Sequence, residues 1–125
     1  MSAQKTLLLI EDEEMLLDVM GALLKKLDYK VLEARTGQEA VELAETFEGA
    51  IDLAILDMQL PDMSGEAVFP LIVKSRPRVK VILTSGHNMN RPARETLDAG
   101  AKAFIQKPTS FAVLKETLNR VIQEG

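Results

Sequence analysis

Five short apolar segments alternate along the chain with longer segments that carry apolar residues at helical spacing. The apolar segments are nearly continuous, as in strands that are buried on both faces of a sheet. They cover residues 6–10, 30–34, 51–56, 79–83 and 103–105. Because short connections between alternating strands and helices require parallel strands with right-handed crossovers, this order predicts an α/β fold with helices on both faces of one open sheet.

Local signals predict several helix ends. Thr36 followed by Glu39 has the spacing of a capping box, and Ser64 fits the N-cap of the third helix. Gly100 follows the fourth helical segment and is typical of a helix stop. These positions bound three of the predicted helices.

Two prolines affect the predicted helices. Pro70 lies inside the expected third helix, where it removes a backbone donor, so we expect a kink or a late start there. The polar, turn-rich residues 86–91 precede Pro92, which is tolerated in the first turn of a helix. We therefore expect the fourth helix to begin late, after a mobile loop.

Composition limits the class of protein. The 125 residues are 46% hydrophobic and 27% charged, which is typical of one soluble globular domain. No repeat or low-complexity linker divides the chain, so we predict one domain over residues 1–125 with its core at about residues 6–122. Residues 1–2 and 124–125 resemble vector-derived ends.

Several function classes are excluded or disfavoured. Without cysteine the chain has no disulfide, no thiolate metal site and no cysteine nucleophile. A formal net charge of −4 argues against direct binding to nucleic acid. No apolar run reaches the ~18 residues of a membrane span and no signal peptide is visible, so we expect a cytoplasmic domain without membrane insertion, although its parent protein could be membrane-anchored.

Polar side chains follow four of the five predicted strands. Glu11 and Asp12 follow the first strand, Asp57 the third and Thr84 the fourth, and Lys107 follows the fifth after one intervening residue. In open parallel sheets, ligands bind beyond the carboxyl ends of the strands. We therefore expect these five side chains to meet at one edge of the sheet.

Three carboxylates in one crevice repel one another unless a cation joins them. An oxygen-only cluster with room for water suits Mg²⁺, which commonly bridges protein carboxylates to phosphate. A phosphoryl group bound there could place its oxygens on Mg²⁺, on the Lys107 ammonium and on the Thr84 hydroxyl. Asp57 would then be the nucleophile, and an aspartyl phosphate would form.

The motifs at these strand ends resemble the receiver domain of bacterial two-component response regulators, over residues 6–122. The motifs are Ile10-Glu11-Asp12-Glu13, Leu56-Asp57-Met58-Gln59-Leu60-Pro61-Asp62-Met63-Ser64-Gly65, Leu83-Thr84-Ser85-Gly86 and Phe104-Ile105-Gln106-Lys107-Pro108. The resemblance implies a flavodoxin-like (βα)5 three-layer sandwich. Its parallel five-stranded sheet would have the order 2-1-3-4-5.

The resemblance also implies a role for each residue at the acidic edge. Asp57 would accept a phosphoryl group from the phosphohistidine of a histidine kinase. Mg²⁺, for which Mn²⁺ can substitute, would be bound by Asp12, Asp57 and the backbone carbonyl of Gln59, with Glu11 helping through water. The domain would catalyse only its own phosphorylation and dephosphorylation, and would otherwise not be an enzyme.

A conformational switch follows from the same resemblance. The Thr84 hydroxyl would move toward the phosphoryl group and the Phe104 ring would then turn inward. The bond between Lys107 and Pro108 is expected to be cis, an arrangement that costs little before proline.

The resemblance names partners but leaves the biological setting open. The phosphodonor would be a histidine kinase or a phosphotransfer protein. A homodimer through the fourth helix, fifth strand and fifth helix is expected on activation. The chain could be a stand-alone regulator or a receiver excised from a hybrid sensor histidine kinase, and the sequence does not decide between them.

Other functions fit the sequence less well. An aspartate-nucleophile phosphohydrolase needs an acid two residues after its nucleophile, where this chain has Gln59. A flavin carrier would have to seat its phosphate against the acidic residues 11–14. A receiver-like interaction module without phosphotransfer remains an alternative.

Three further titratable residues are left out of the predicted site. Glu13 and Glu14 are explained by the favourable effect of acids in the first turn of a helix. His87, the only histidine, has no partner ligands near it in the sequence, and we expect no functional role for it.

Overall fold

Strands and helices alternate along residues 4–124, which are the residues that this computed structural model describes. The strands are β1 (Thr6–Ile10), β2 (Lys30–Ala34), β3 (Leu53–Asp57), β4 (Lys80–Ser85) and β5 (Ala103–Gln106). The helices are α1 (Glu14–Lys26), α2 (Gly37–Thr46), α3 (Gly65–Ser75), α4 (Arg91–Asp98) and α5 (Phe111–Gln123). The expectation of vector-derived ends concerns residues 1–2 and 125, which lie outside the described residues, and Glu124, the C-cap of α5.

The five strands form one parallel sheet in the predicted order β2-β1-β3-β4-β5. Strands β1 and β3 are central, and every residue in them is buried. This is the reason for their continuous apolar sequences, because helices cover both faces of the sheet. The flavodoxin-like fold class predicted from the sequence is confirmed.

Alternate side chains of each central strand pack into two separate cores. Leu8 and Ile10 of β1 face the core formed with α2, α3 and α4, which supply residues such as Ala40, Ile72 and Ala93. Leu7 and Leu9 face the opposite core, where α1 and α5 contribute Leu17, Leu24, Leu114 and Leu118. The molecule is therefore a three-layer sandwich with three helices on one side of the sheet and two on the other.

The observed strands extend further toward their carboxyl ends than predicted. Strand β3 includes Asp57 and β4 includes Thr84 and Ser85, whereas the apolar pattern ended one or two residues earlier. Asp57 and Thr84 are register partners, because backbone pairing continues past the last apolar side chain. The extension fixes both residues on the rigid sheet rather than on a loop.

The third helix starts at the residue that the Ser64 cap predicts, and not late. It begins at Gly65, capped by the Ser64 side chain, which accepts a hydrogen bond from the backbone N–H of Ala67. It continues past Pro70 to Ser75, so the expected late start is wrong. Pro70 is exposed and its missing donor would have bonded to Glu66, also an exposed residue, where water can reach the free carbonyl.

The other predicted helix boundaries are confirmed. Thr36 accepts a hydrogen bond from the backbone N–H of Glu39 and caps α2. The fourth helix begins late, at Arg91, with Asn90 as its N-cap and Pro92 in its first turn. Gly100, just beyond α4, has a φ of 126°, a left-handed conformation that favours glycine. Within residues 4–124, no helix is long and apolar enough to span a bilayer.

Candidate functional site

The carboxyl ends of β1, β3 and β5 open into one pocket of about 360 Å³. Glu11 and Asp12 enter it directly after β1, Asp57 at the end of β3, and Lys107 after β5. The complete lining is Glu11, Asp12, Glu13, Leu16, Asp57, Gln59, Gly86, Lys107 and Pro108. Residues that are up to 96 positions apart in the chain therefore meet at this edge of the sheet.

Three carboxylates lie together in the pocket. One oxygen from each of Glu11, Asp12 and Asp57 lies within 4.8 Å of the others. Glu11 and Asp57 are each only 2% exposed, whereas Asp12 is exposed. The cluster is thus closed on the side of the sheet and open to water at Asp12.

Lys107 joins the two buried carboxylates. Its ammonium nitrogen lies 2.9 Å from Glu11 Oε1 and 3.1 Å from Asp57 Oδ2, and it donates a hydrogen bond to each. One ammonium group thus compensates two buried carboxylates, which leaves negative charge in the pocket. The peptide bond between Lys107 and Pro108 is cis.

Backbone donors hold the remaining carboxylate oxygens. The N–H of Gln59 donates to Asp57 Oδ1 at 2.9 Å, and the N–H of Glu13 donates to Glu11 Oε2 at 3.0 Å. Each buried carboxylate is therefore oriented on both sides, by Lys107 and by its own following loop. Such fixed orientation keeps a reactive oxygen in place.

The loop after Asp57 returns tightly to the end of β3. The backbone N–H of Gly65 donates to the carbonyl of Met58 at 2.9 Å, and Gln59 and Ser64 form an antiparallel bridge. A Cβ on Gly65 would lie 2.8 Å from the backbone oxygen of Asp57, too close for any side chain. Glycine is therefore required at position 65 for the loop to close beneath Asp57.

Burial raises the pKa of Asp57 from an ordinary 3.8 to about 6. The N–H of Gln59 and the Lys107 ammonium lower this pKa, while the neighbouring Glu11 carboxylate raises it further. Burial lowers the pKa of Lys107, but the hydrogen bonds and charges of Glu11 and Asp57 outweigh burial and raise it overall. Lys107 therefore stays protonated in the pocket, and further positive charge would stabilise the ionised form of Asp57 beside it.

Thr84 and Phe104 lie beside the pocket but are not part of its lining. Thr84 is buried and pairs in register with Asp57 on the neighbouring strand. Phe104 is half-buried and packs against the core shared with α2, α3 and α4. The structure places Thr84 next to Asp57, whereas Phe104 lies on β5, which pairs with β4 on the side away from β3.

Sequence reasoning missed three residues of the lining. Glu13, set aside as a helix-dipole acid, lines the pocket, as do Leu16 and Gly86. Gly86 could have been found from its position directly after the extended β4, and Leu16 from its place one helical turn beyond Asp12. Glu14 is outside the lining and instead forms an ion pair with Arg35, with a nitrogen–oxygen distance of 2.8 Å. His87 is exposed and is not among the lining residues.

The family model of the response regulator receiver domain matches residues 7–119 of this chain. Chemotaxis protein CheY of Thermotoga maritima is 31% identical over 118 residues, which are 94% of this chain and 97% of that protein. The aerobic respiration control sensor protein ArcB of Escherichia coli is 35% identical over 117 residues, or 90% of this chain and 14% of that sensor.

Solved structures have the same architecture. A CheY-like response regulator receiver domain protein from Methanospirillum hungatei superposes with a TM-score of 0.86 at 31% identity, covering 98% of this chain and all of the other. A response regulator receiver domain protein from Clostridium thermocellum gives a TM-score of 0.88 at 28% identity, covering 96% of this chain and 95% of the other.

The relatives differ greatly in length. The chain spans 31% of a cyclic di-GMP phosphodiesterase of Thermotoga maritima and 13% of the sensor kinase CckA of Brucella abortus. The similarity therefore concerns one module that occurs alone in some relatives and within much longer proteins in others.

Proposed function

Because this chain belongs to the response regulator receiver domain family and is a receiver domain of two-component signalling, we propose that Asp57 is its phosphoacceptor. Receiver domains interact with histidine kinases or phosphotransfer proteins, so the donor is a phosphohistidine on such a partner. One observation carries the proposal. At the end of β3, the Lys107 ammonium donates hydrogen bonds to the carboxylates of both Glu11 and Asp57, at 2.9 and 3.1 Å.

Asp57 has the properties of a nucleophile whose orientation is fixed by hydrogen bonds. It is a buried carboxylate whose raised pKa, about 6, still leaves it mostly ionised at neutral pH. The N–H of Gln59 and the ammonium of Lys107 fix its two oxygens. Glu11 is also buried and held by two donors, but it lies one residue beyond β1, whereas Asp57 is the last residue of β3 and is fixed on the sheet itself.

The residues of the pocket fit a bound Mg²⁺. The donors are oxygen atoms only, three carboxylates lie within 4.8 Å of one another, and the exposed Asp12 leaves room for water. Asp12, Asp57 and the backbone carbonyl of Gln59 would hold the ion, and Glu11 would contact it through water; Mn²⁺ could replace it. When bound, the ion would neutralise charge on the carboxylates and on the phosphoryl oxygens.

Transfer exchanges one bond for another. The Asp57 oxygen forms a bond to phosphorus while the bond from phosphorus to the donor imidazole nitrogen breaks, and the imidazole departs with its electron pair and takes up a proton. The ammonium of Lys107 stabilises a phosphoryl oxygen as charge shifts during transfer. Since the transition state is loose, fixed position and charge neutralisation provide most of the acceleration.

Thr84 and Phe104 form the proposed switch. Thr84 is the register partner of Asp57 on the neighbouring strand, and its hydroxyl would turn toward a phosphoryl group on Asp57. Phe104 is the half-buried aromatic on the neighbouring strand, and an inward turn of its ring would change the surface of α4, β5 and α5. Phosphorylation would act by shifting the population between these two arrangements.

The surface of α4, β5 and α5 is the proposed homodimer face of the phosphorylated domain. Val113 on α5 is 48% exposed, and α4 presents exposed charges of both signs, including Arg94 and Asp98. Exposed charges of both signs on the same helix suit a two-fold interface, where the same patch meets itself. Sedimentation velocity should detect a dimer after phosphorylation, and a persistent monomer at high concentration would exclude this face.

We propose that residues 1–125 form one receiver domain that works either alone or within a longer protein, such as a hybrid sensor kinase. The relatives include both arrangements, since CheY is covered almost completely and ArcB only over 14% of its length. The activity of any longer protein would follow from its other domains.

Intact-mass spectrometry after incubation with acetyl phosphate tests the phosphoacceptor directly. We expect an added phosphoryl mass in the presence of Mg²⁺ and little without it. Asp57→Asn should abolish the adduct, whereas Asp98→Asn, which changes an exposed carboxylate at the end of α4, should leave it unchanged. An undiminished adduct in Asp57→Asn would refute the assignment.

A further inference from the structure

The amino ends of the strands carry a positively charged groove, on the edge of the sheet opposite to Asp57. The groove has a volume of about 330 Å³, and its charged lining residues are Lys5, Asp52, Arg78 and Lys80. The Asp52 carboxylate accepts a hydrogen bond from the backbone N–H of Thr6 at 2.8 Å. The groove is therefore lined by three cations and one carboxylate, so positive charge is in excess.

Within residues 4–124, no acidic side chain forms an ion pair with the cations of this groove. The Lys80 ammonium donates to the backbone carbonyls of Val121 and Ile122, each at 3.1 Å, and these acceptors are neutral. Lys5 and Arg78 are exposed, and neither forms an ion pair with any residue between 4 and 124. The groove thus has an excess of positive charge in a chain whose net charge is −4.

A second groove of about 280 Å³ continues from the first and shares Ala50, Ile51 and Arg78 with it. It adds Arg76, whose guanidinium also donates only to backbone carbonyls. Apolar side chains lie between the charges, with Ile51 and Leu53 buried and Ile122 half-buried. Together the two grooves form a channel that combines an apolar floor with cationic walls, which we call the basic channel.

We propose that the basic channel is a docking site for an acidic segment of a partner protein, with an apolar side chain seated between Lys5 and Arg78. Charge complementarity favours an anionic ligand, and the apolar floor favours one with an aliphatic residue among its acids. The concave shape suits a single extended segment better than a flat membrane. A long nucleic acid would also meet the repulsion of the net negative charge outside the channel.

The position of the basic channel predicts how binding responds to phosphorylation. It lies at the opposite ends of the strands from Asp57, and it is lined by none of the switch residues. Binding of an acidic segment should therefore be equally tight in the unmodified and phosphorylated domains. The domain would then have one binding site that is independent of phosphorylation and a second surface, on α4, β5 and α5, that depends on it.

The test uses a fluorescein-labelled peptide, Glu-Glu-Leu-Glu-Glu-Leu-Glu, titrated with the full chain at physiological ionic strength and followed by anisotropy. We expect Lys5→Glu combined with Arg78→Glu to weaken binding about tenfold, since two favourable ion pairs are each replaced by repulsion. The matched control, Lys25→Glu with Lys26→Glu, makes the same change in net charge on exposed residues of α1 that line neither groove, and it should bind nearly as well as the unmodified chain.

Nuclear magnetic resonance locates the peptide, with shifts expected at residues 50–53 and 78–80. Equal weakening in both double variants, or shifts at another surface, would overturn the proposal. Tighter binding to anionic lipid vesicles or to duplex DNA than to the peptide would overturn it in favour of those partners. Acetyl phosphate labelling of Asp57 should be unaffected by Lys5→Glu with Arg78→Glu, so this test and that of the phosphoacceptor fail independently.

Discussion

The two edges of the same sheet use charge in opposite ways. At the carboxyl edge, Lys107 is shared between two buried carboxylates, and the pKa of Asp57 rises to about 6. At the amino edge, Arg76 and Lys80 donate to backbone carbonyls near the ends of α2 and α5. The first edge holds negative charge that is incompletely compensated, whereas the second uses positive charge to hold helix ends.

The difference explains where stability and function reside. Terminal carbonyls of a helix lack partners within the helix, so a cation that binds them stabilises the fold. Carboxylates crowded against one another cost stability, and a cation that relieves their repulsion binds tightly for the same reason. Substitutions at the carboxyl edge should therefore change chemistry most, and those at the amino edge should change the free energy of unfolding.

The largest expected effect is that of Lys107→Ala on phosphorylation. Loss of the ammonium that neutralises a phosphoryl oxygen should slow labelling by acetyl phosphate about 100-fold to 1,000-fold. Stopped time points analysed by intact mass would measure the rate. Lys102→Ala, which removes an exposed ammonium just before β5, should keep the normal rate. A rate for Lys107→Ala within a few-fold of the unmodified chain would contradict the role of this residue.

Arg76→Ala should destabilise the fold by about 3 kcal/mol, because three backbone carbonyls lose a charged donor. The acceptors are the carbonyls of Ala44, Phe47 and Gly49, at and beyond the end of α2, and the bond to Ala44 is 2.7 Å long. Urea unfolding followed by circular dichroism would measure the change.

The nearby Arg78 provides the control for Arg76. It is exposed and its guanidinium makes no hydrogen bond to another residue within 4–124, so Arg78→Ala should change the free energy of unfolding by less than about 0.5 kcal/mol. If the two variants lost similar amounts of unfolding free energy, the hydrogen bonds of the Arg76 guanidinium would not be what stabilises the end of α2.

Asp57→Asn should stabilise the domain at pH 7 by about 2 kcal/mol while it abolishes phosphorylation. Because the folded-state pKa of about 6 lies above the ordinary 3.8, the ionised carboxylate costs stability above pH 6. As pH falls from about 6 to 3.8, the folded state takes up the proton first and the cost disappears. The advantage of Asn should therefore be present at neutral pH and absent near pH 4.

Urea unfolding at the two pH values, without Mg²⁺, would measure this dependence. Asp98→Asn serves as the control, since its exposed carboxylate should give no such difference between pH values. A destabilising effect of Asp57→Asn at pH 7 would mean that the carboxylate cluster is well compensated. Added Mg²⁺ should raise the stability of the unmodified chain more than that of Asp57→Asn.

The smallest expected effect is that of Lys80→Met, about 1 kcal/mol of destabilisation. The variant removes the ammonium that donates to the last turn of α5 but keeps the aliphatic stem. Lys74→Met on the exposed face of α3 should be neutral under the same urea denaturation. If both variants behaved alike, the ammonium at the end of α5 would be only a surface charge.

Much of the candidate site could be predicted because it depends on strand ends. The apolar runs ended close to Glu11, Asp57 and Thr84, and the carboxyl ends of parallel strands must lie at one edge. Lys107 was also predicted to reach this edge, and it contacts Glu11 across 96 positions. The pattern of the backbone was sufficient to bring these residues together.

Other features could not be read from local signals. The continuation of α3 past Pro70 depends on that proline being exposed rather than packed against the sheet. Glu13 lines the pocket because of the angle at which α1 leaves β1. From the sequence alone, an acid stabilised by the helix dipole was an equally reasonable interpretation. Neither the face of a helix nor its direction of departure is encoded by residue type alone.

The order of strands and helices, the burial of β1 and β3, and the residues that follow the strands were determined by the sequence itself, because periodic burial of apolar side chains leaves a pattern along the chain. The tertiary structure alone decided that one ammonium serves two carboxylates and that Arg76 and Lys80 at the opposite edge bind backbone carbonyls. The physical reason is that electrostatic free energy depends on distance and burial in three dimensions, and neither quantity is a property of neighbouring residues in the sequence.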